Sequence, residues 1–240
     1  MGLCDDVRTH CAGLVAGARW VTIDAEALAM IDPHPERSPV GRPPGEERRA
    51  PGSATLDPRC HYLEGDADGV AAYTLALDAI NFGSGWFPTL RKRAGCSGYE
   101  TIAWGLADRF RLEGPWSGDD LRRVGAEELG RVLGQPADHE LIGLYGQALR
   151  ALGRFLGDRT ALELVAAAGG SAERLAEMLA AGMAMFADVG FYKRAQITAS
   201  DLALAGVAEF SDLDRLTIFA DNLVPHVLRC EGVLRYEPGL

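Results

Sequence analysis

From residue 66 onward, apolar residues return every three or four positions in run after run, with no alternation of strands and helices between the runs. Val70, Tyr73, Leu77 and Ile80 form one such face. Leu141, Leu144, Tyr145, Leu149, Leu152 and Leu156 form a second, and Leu175, Met178, Leu179, Gly182 and Phe186 a third. Asp66 or Asp68 is placed to cap the first helix, which runs to about Asn81 and stops at Gly83-Ser84-Gly85. A helix from about Tyr99 to Phe110 precedes the Gly114-Pro115 break, and Ser117 with Asp120 reads as a capping box. Further helical runs are expected at Tyr192–Ile197, Leu213–Asp221 and Pro225–Cys230, the last closed by Gly232. Ahead of these, Asp5–Ala16 places Val7, Cys11, Leu14 and Val15 on one helical face. Trp20–Ile23 reads as extended, and Asp24 caps a short helix through Met30. Seven of the twelve prolines fall between Pro33 and Pro58, so about 33–58 is expected to be an irregular loop. The expected fold is mainly α: one domain over 1–240, with few and short strands.

Composition removes several classes of function. The formal net charge is −10, and the one dense basic run is Arg91-Lys92-Arg93, which disfavours tight binding to long DNA or RNA. No apolar stretch is long enough to span a bilayer, and Met1–Asp6 lacks a secretion-signal pattern, so no membrane partner and a cytoplasmic location are expected. Five widely spaced cysteines signal neither a disulfide framework nor a zinc site. Phosphate-loop, dinucleotide-loop, zinc-protease and nucleophile-elbow motifs are all missing. The sequence carries no information on oligomeric state.

Three segments concentrate residue types suited to chemistry. In Asp78–Pro88, Asp78, Asn81 and Phe82 fall at i, i+3, i+4, so a carboxylate, an amide and a ring share a helix face that can read a heterocyclic base. Trp86 and Phe87 follow as a possible opposite wall. In Phe191–Gln196, Lys193 is one of two lysines in the chain and a compact charge suited to a phosphate, with Gln196 near it. In Ile218–His226, Pro225 favours a helix start, which sets Asp221 just before a helix N-terminus where an ionised carboxylate is favoured. Asn222 beside it is one of two asparagines. On pattern alone, plainer roles stand beside these: core aromatics, a surface lysine and an N-capping aspartate.

In this order the segments resemble the queuosine salvage protein family, the queuosine 5′-phosphate N-glycosylase/hydrolases. The matching stretches are Asp78–Trp86 with its Asn-Phe-x-x-x-Trp core, Ser97-Gly98-Tyr99, Phe191–Gln196, Phe219-Ala220-Asp221 with Val224-Pro225-x-Val227-Leu228, and Gly232–Tyr236. The run 33–58 has no counterpart, and Glu100 stands where some members carry tryptophan. The resemblance implies an all-helical fold akin to helix-hairpin-helix DNA glycosylases. It implies hydrolysis of queuosine 5′-monophosphate to queuine and ribose 5-phosphate without metal or redox cofactor. By position it makes Asp221 the catalytic carboxylate and Lys193 the 5′-phosphate partner. Asp78 and Asn81 become candidates for the base edge, with Phe82, Trp86, Tyr99, Gln196 and Asn222 around the substrate.

The chemistry is compatible with the residues. N-glycoside hydrolysis passes through an oxocarbenium-like state that a carboxylate stabilises. A 7-deazaguanine base lacks N7, so its departure needs hydrogen bonds elsewhere on its edge. Queuine carries a secondary amine that suits an acidic protein, with Glu100 as a partner for it. The alternative is a non-catalytic binding protein for queuine or a related 7-deazaguanine nucleotide.

Overall fold

The computed structural model describes residues 2–31 and 56–239. The proline-rich run therefore lies almost wholly outside the described residues. Helices α1 (Leu3–Gly17) and α2 (Ala25–Ala29) flank strand β1 (Val21–Ile23). There follow α3 (Ala67–Ala79), α4 (Gly98–Glu113), α5 (Gly118–Arg123), α6 (Ala126–Leu133), α7 (Glu140–Leu156), α8 (Ala161–Ala166), α9 (Ala172–Gly182), α10 (Lys193–Leu204), α11 (Leu223–Cys230) and strand β2 (Leu234–Tyr236). The fold is mainly α. β1 and β2 pair antiparallel, with Val21 opposite Tyr236 and Ile23 opposite Leu234. No helix among the described residues is long and apolar enough to cross a membrane.

α3 is the helix around which the others assemble. Asp66 caps it by accepting from the Gly69 amide, and nearly its whole length is buried. It packs against α4, α7, α8 and α10. A helix apolar on all sides is stable only when every side is covered, which is what these four neighbours do. Tyr73, the largest of its buried residues, donates its hydroxyl to the carbonyls of Cys60 and Ala103, so its polar end is satisfied inside the core. α7 buries the expected Leu141, Tyr145, Leu149, Leu152 and Leu156. It crosses α5 so closely that a Cβ at Gly153 would lie 2.7 Å from the Arg122 amide nitrogen, so the glycine is required there.

The structure departs from the sequence expectations in several places. α3 ends at Ala79, so Asn81 and Phe82 lie beyond it and do not share a helix face with Asp78. α1 buries Val7 but leaves Leu14 and Val15 about half exposed. α6 and α8 are short helices that no long apolar period announced. The run Leu213–Asp221 is not a helix: one turn of 3-10 helix covers Leu213–Arg215 and the chain then extends. The reason is a competing bond. The Thr217 amide, which a helix would direct to Leu213, donates instead to the Gln196 side chain at 2.8 Å. α11 begins at Leu223, so Pro225 is its third residue, still within the first turn where a missing amide hydrogen costs nothing.

Candidate active site

The start of α10 organises the site. Tyr192, just before it, has φ 48°, and it is the one non-glycine residue with positive φ among the described residues. Such a conformation costs on the order of 1 kcal/mol and persists only where its surroundings impose it. Asp188 imposes it: its carbonyl accepts from the Phe191 and Tyr192 amides, and its carboxylate accepts from the Lys193 amide at 2.9 Å. The turn is therefore locked just where Lys193 leaves it.

Lys193 Nζ lies 2.6 Å from Asp221 Oδ2. The other Asp221 oxygen accepts from the Leu223 amide at 2.9 Å, at the first turn of α11. The Leu223 bond first, and then the Lys193 ammonium, hold the Asp221 carboxyl below the ordinary aspartate range, so it is ionised. Gln196 fixes the strip that carries Asp221. Fully buried, it donates Nε2 to the Phe191 carbonyl and to Thr217 Oγ1, both at 2.9 Å, and accepts from the Thr217 amide. Sequence-predicted Lys193, Gln196 and Asp221 are thus brought together, with Gln196 acting as a clamp between α10 and the strip.

Asp221 opens onto a cleft of about 380 Å³ between α1 and the strip. Val7 and Cys11 come from α1, Phe191 from the turn before α10, and Phe219, Val224 and Pro225 from the far side. Arg8 and Asp221 are the two charged side chains among the described residues that line it. Neither Arg8 nor Thr217 was singled out from the sequence. An arginine on an N-terminal helix carries no local pattern that marks it, and the clamp partner of Gln196 lies 21 residues away.

A second cluster surrounds Asp78. Its carboxyl is fully buried between α3 and α10, and neither oxygen has a hydrogen-bond partner among the described residues. Thr198 and Asn81 sit near enough to favour the ionised form, but burial, followed by the charge of Asp201, pushes the group well above the usual carboxylate range. Asp201 is itself pushed up to about 6 by burial. Arg194 donates to the Ala79 carbonyl at 3.1 Å and stacks over Phe82, 4.8 Å to the ring centre. Phe82 also meets Tyr145 edge-on. Arg194, Thr198 and Asp201 recur at i, i+4, i+7, and that polar stripe on α10 was the available signal for this cluster.

The remaining candidates, apart from Asn222, are engaged in contacts of their own. Tyr99 bonds His61 at 3.0 Å, and burial, then the charges of Asp78 and Asp201, raise its hydroxyl far above its usual range. Trp86 donates its indole N–H to Glu140. Glu100 is taken up in the Ser97 capping box at the start of α4, accepting from the Ser97 amide at 2.6 Å. Asn222 is exposed and makes no capping bond. Among the described residues, no group of three or more His, Cys, Asp or Glu is placed to hold a metal ion.

Comparison with known proteins gives a consistent result. The profile of the queuosine salvage protein family matches residues 60–240. A Sphaerobacter thermophilus protein named queuosine 5′-phosphate N-glycosylase/hydrolase is 32% identical over 98% of this chain and 75% of its own length. A Dictyostelium discoideum protein of the same name is 29% identical over 71% of this chain and 55% of its own. A Nematostella vectensis protein, also so named, is 46% identical over 22% of this chain and 16% of its own. With the profile covering most of its length, the chain belongs to the queuosine salvage protein family.

Proposed function

We propose that the chain hydrolyses the N-glycosidic bond of queuosine 5′-phosphate, releasing queuine and ribose 5-phosphate. The observation that carries this reading is the Lys193–Asp221 pair at the edge of a mononucleotide-sized cleft, together with relatives that bear the activity in their names. As the bond from the base nitrogen to C1′ breaks, its electron pair leaves with the base and the sugar gains positive charge. Asp221, held ionised, faces that charge and stabilises it. Water then bonds to C1′ and gives up a proton, while the base nitrogen gains one. On the base side, burial favours the protonated form of Asp78, and in that form its part toward a departing base is that of a hydrogen-bond donor, with Asn81 beside it. Contact with Asp78 requires the packing over it to open, because the carboxyl has no exposure.

Lys193 takes a double role in this scheme. Its ammonium holds Asp221 ionised and, if it is also the 5′-phosphate partner, must be shared between the two anions. The chain works on a mononucleotide in this reading, consistent with the net charge of −10, and without a polynucleotide partner. The test is product analysis over time with queuosine 5′-phosphate. Stoichiometric free queuine and ribose 5-phosphate are expected; a bound but unchanged nucleotide would replace the hydrolase with a carrier.

A further inference from the structure

Resting on that reading, we infer that Arg8 of α1 is the principal cation for the substrate's 5′-phosphate. The charge balance of the cleft leads there. A phosphate monoester brings close to two negative charges. Lys193 is bound at 2.6 Å to a carboxylate, so the pair together offers no net positive charge. Asp221 and Arg8 are the charged side chains of the described cleft lining, and the walls between them are largely apolar. A ribose 5-phosphate has the matching polarity: a carbon that turns cationic at one end and a dianion at the other.

Arg8 is suited to the second end. Its side chain is 49% exposed, and one Nη donates to the Arg215 carbonyl at 2.7 Å, which fixes the guanidinium in place. Asp5 lies 3.7 Å from the other Nη, the distance of a loose ion pair. That carboxylate is also shared with Arg215 at 3.3 Å. A guanidinium has five N–H donors, so donors remain for a phosphate, which it can take bidentately. Arg215 is a weaker candidate, because it is engaged by Glu173 at 3.1 Å as well as by Asp5. Arg8 also lies ahead of residues 60–240, so the phosphate end of the site would be built by a segment outside the matched family region.

The experiment compares wild type, Arg8→Ala and Arg8→Lys on queuosine 5′-phosphate and on the unphosphorylated nucleoside, and titrates each protein with ribose 5-phosphate. Loss of one charge-assisted contact predicts that Arg8→Ala lowers the phosphate-to-nucleoside ratio of kcat/KM roughly tenfold to a hundredfold, mainly through KM. Ribose 5-phosphate binding should weaken by a similar factor, with Arg8→Lys falling between. An unchanged ratio and unchanged ribose 5-phosphate affinity in Arg8→Ala would overturn the assignment. If wild type hydrolyses neither substrate yet binds ribose 5-phosphate through Arg8, the hydrolase reading falls and the phosphate site stands. If wild type does not bind ribose 5-phosphate at all, the site falls.

Discussion

Helices α7 and α11 are both amphipathic, yet they are held in different ways. Nine of the seventeen residues of α7 are buried, so apolar packing is its main support. α11 buries none of its eight, and Leu223 and Val227 are more than half exposed. What holds α11 and the strip before it is mainly a few polar ties to distant parts of the chain. The Gln196 clamp and the Lys193–Asp221 pair tie the strip to α10, and the β1–β2 pairing ties down the end of the chain. The Val233 carbonyl accepts from the Asp24 amide, and Arg235 bonds Asp24. The carboxylate assigned to catalysis therefore sits on the lightly packed part, positioned by a few hydrogen bonds against a rigid helical body. Segments with few apolar contacts open at low free energy, which suits a site that must admit and release a nucleotide.

Substitutions test this contrast at both ends. Asp221→Asn should cost the most: about a thousandfold or more in kcat, with only a small fall in the unfolding midpoint, because the one structural tie it weakens is the partly exposed pair with Lys193. Steady-state assays paired with urea melts check this. In the body, Leu149→Ala should destabilise by about 2–5 kcal/mol in urea unfolding. A loss below about 1 kcal/mol would mean that the body is no better packed than the strip.

Asp201→Asn should show its effect through pH. Burial raises the folded-state pKa of Asp201 from about 3.8 to about 6, so the folded protein binds more protons over that interval. Its contribution is intact below about pH 4 and is lost as pH rises through 6. Asn should thus stabilise the protein by about 1–3 kcal/mol at pH 7.5, with the gain vanishing near pH 4. Equal gains at both pH values would reject a carboxyl whose folded-state pKa is raised by burial. Gln196→Ala leaves the Thr217 amide and the Phe191 carbonyl unpaired and should cost about 1–3 kcal/mol. Hydrogen exchange should quicken first in 216–230, and kcat should fall about tenfold. Uniformly faster exchange would show that strip and body open together. Val227→Ala, on the exposed face of α11, should change stability by less than about 0.5 kcal/mol.

The same contrast explains what was legible beforehand. The long helices of the body were readable because burial imposes a period on the sequence, as with Leu141, Tyr145, Leu149 and Leu152 in α7. The capping box at Ser117 and the Asp24 cap were equally plain, because a cap is a local rule. Leu213–Asp221 was misread as helix because its extended form depends on Gln196, a partner distant in sequence. Local pattern singled out Asp221 and Lys193 as residues. Their pairing was not visible, because 28 positions separate them. Arg8 and Asp201 were missed for the same reason: each acquires its role from helices that meet only in the folded chain.

The central claim is that an ionised Asp221, kept so by Lys193 and the Leu223 amide, carries the reaction. The acid limb of the kcat–pH profile measures this in wild type and in Lys193→Met, with circular dichroism confirming the fold at each pH. Because the folded-state pKa is depressed, activity should be retained above it and lost as pH falls through it. The wild-type inflection should lie below the ordinary aspartate value near 3.8 and move upward when the ammonium is removed. A wild-type inflection above pH 5, or one that ignores Lys193, would contradict the assignment.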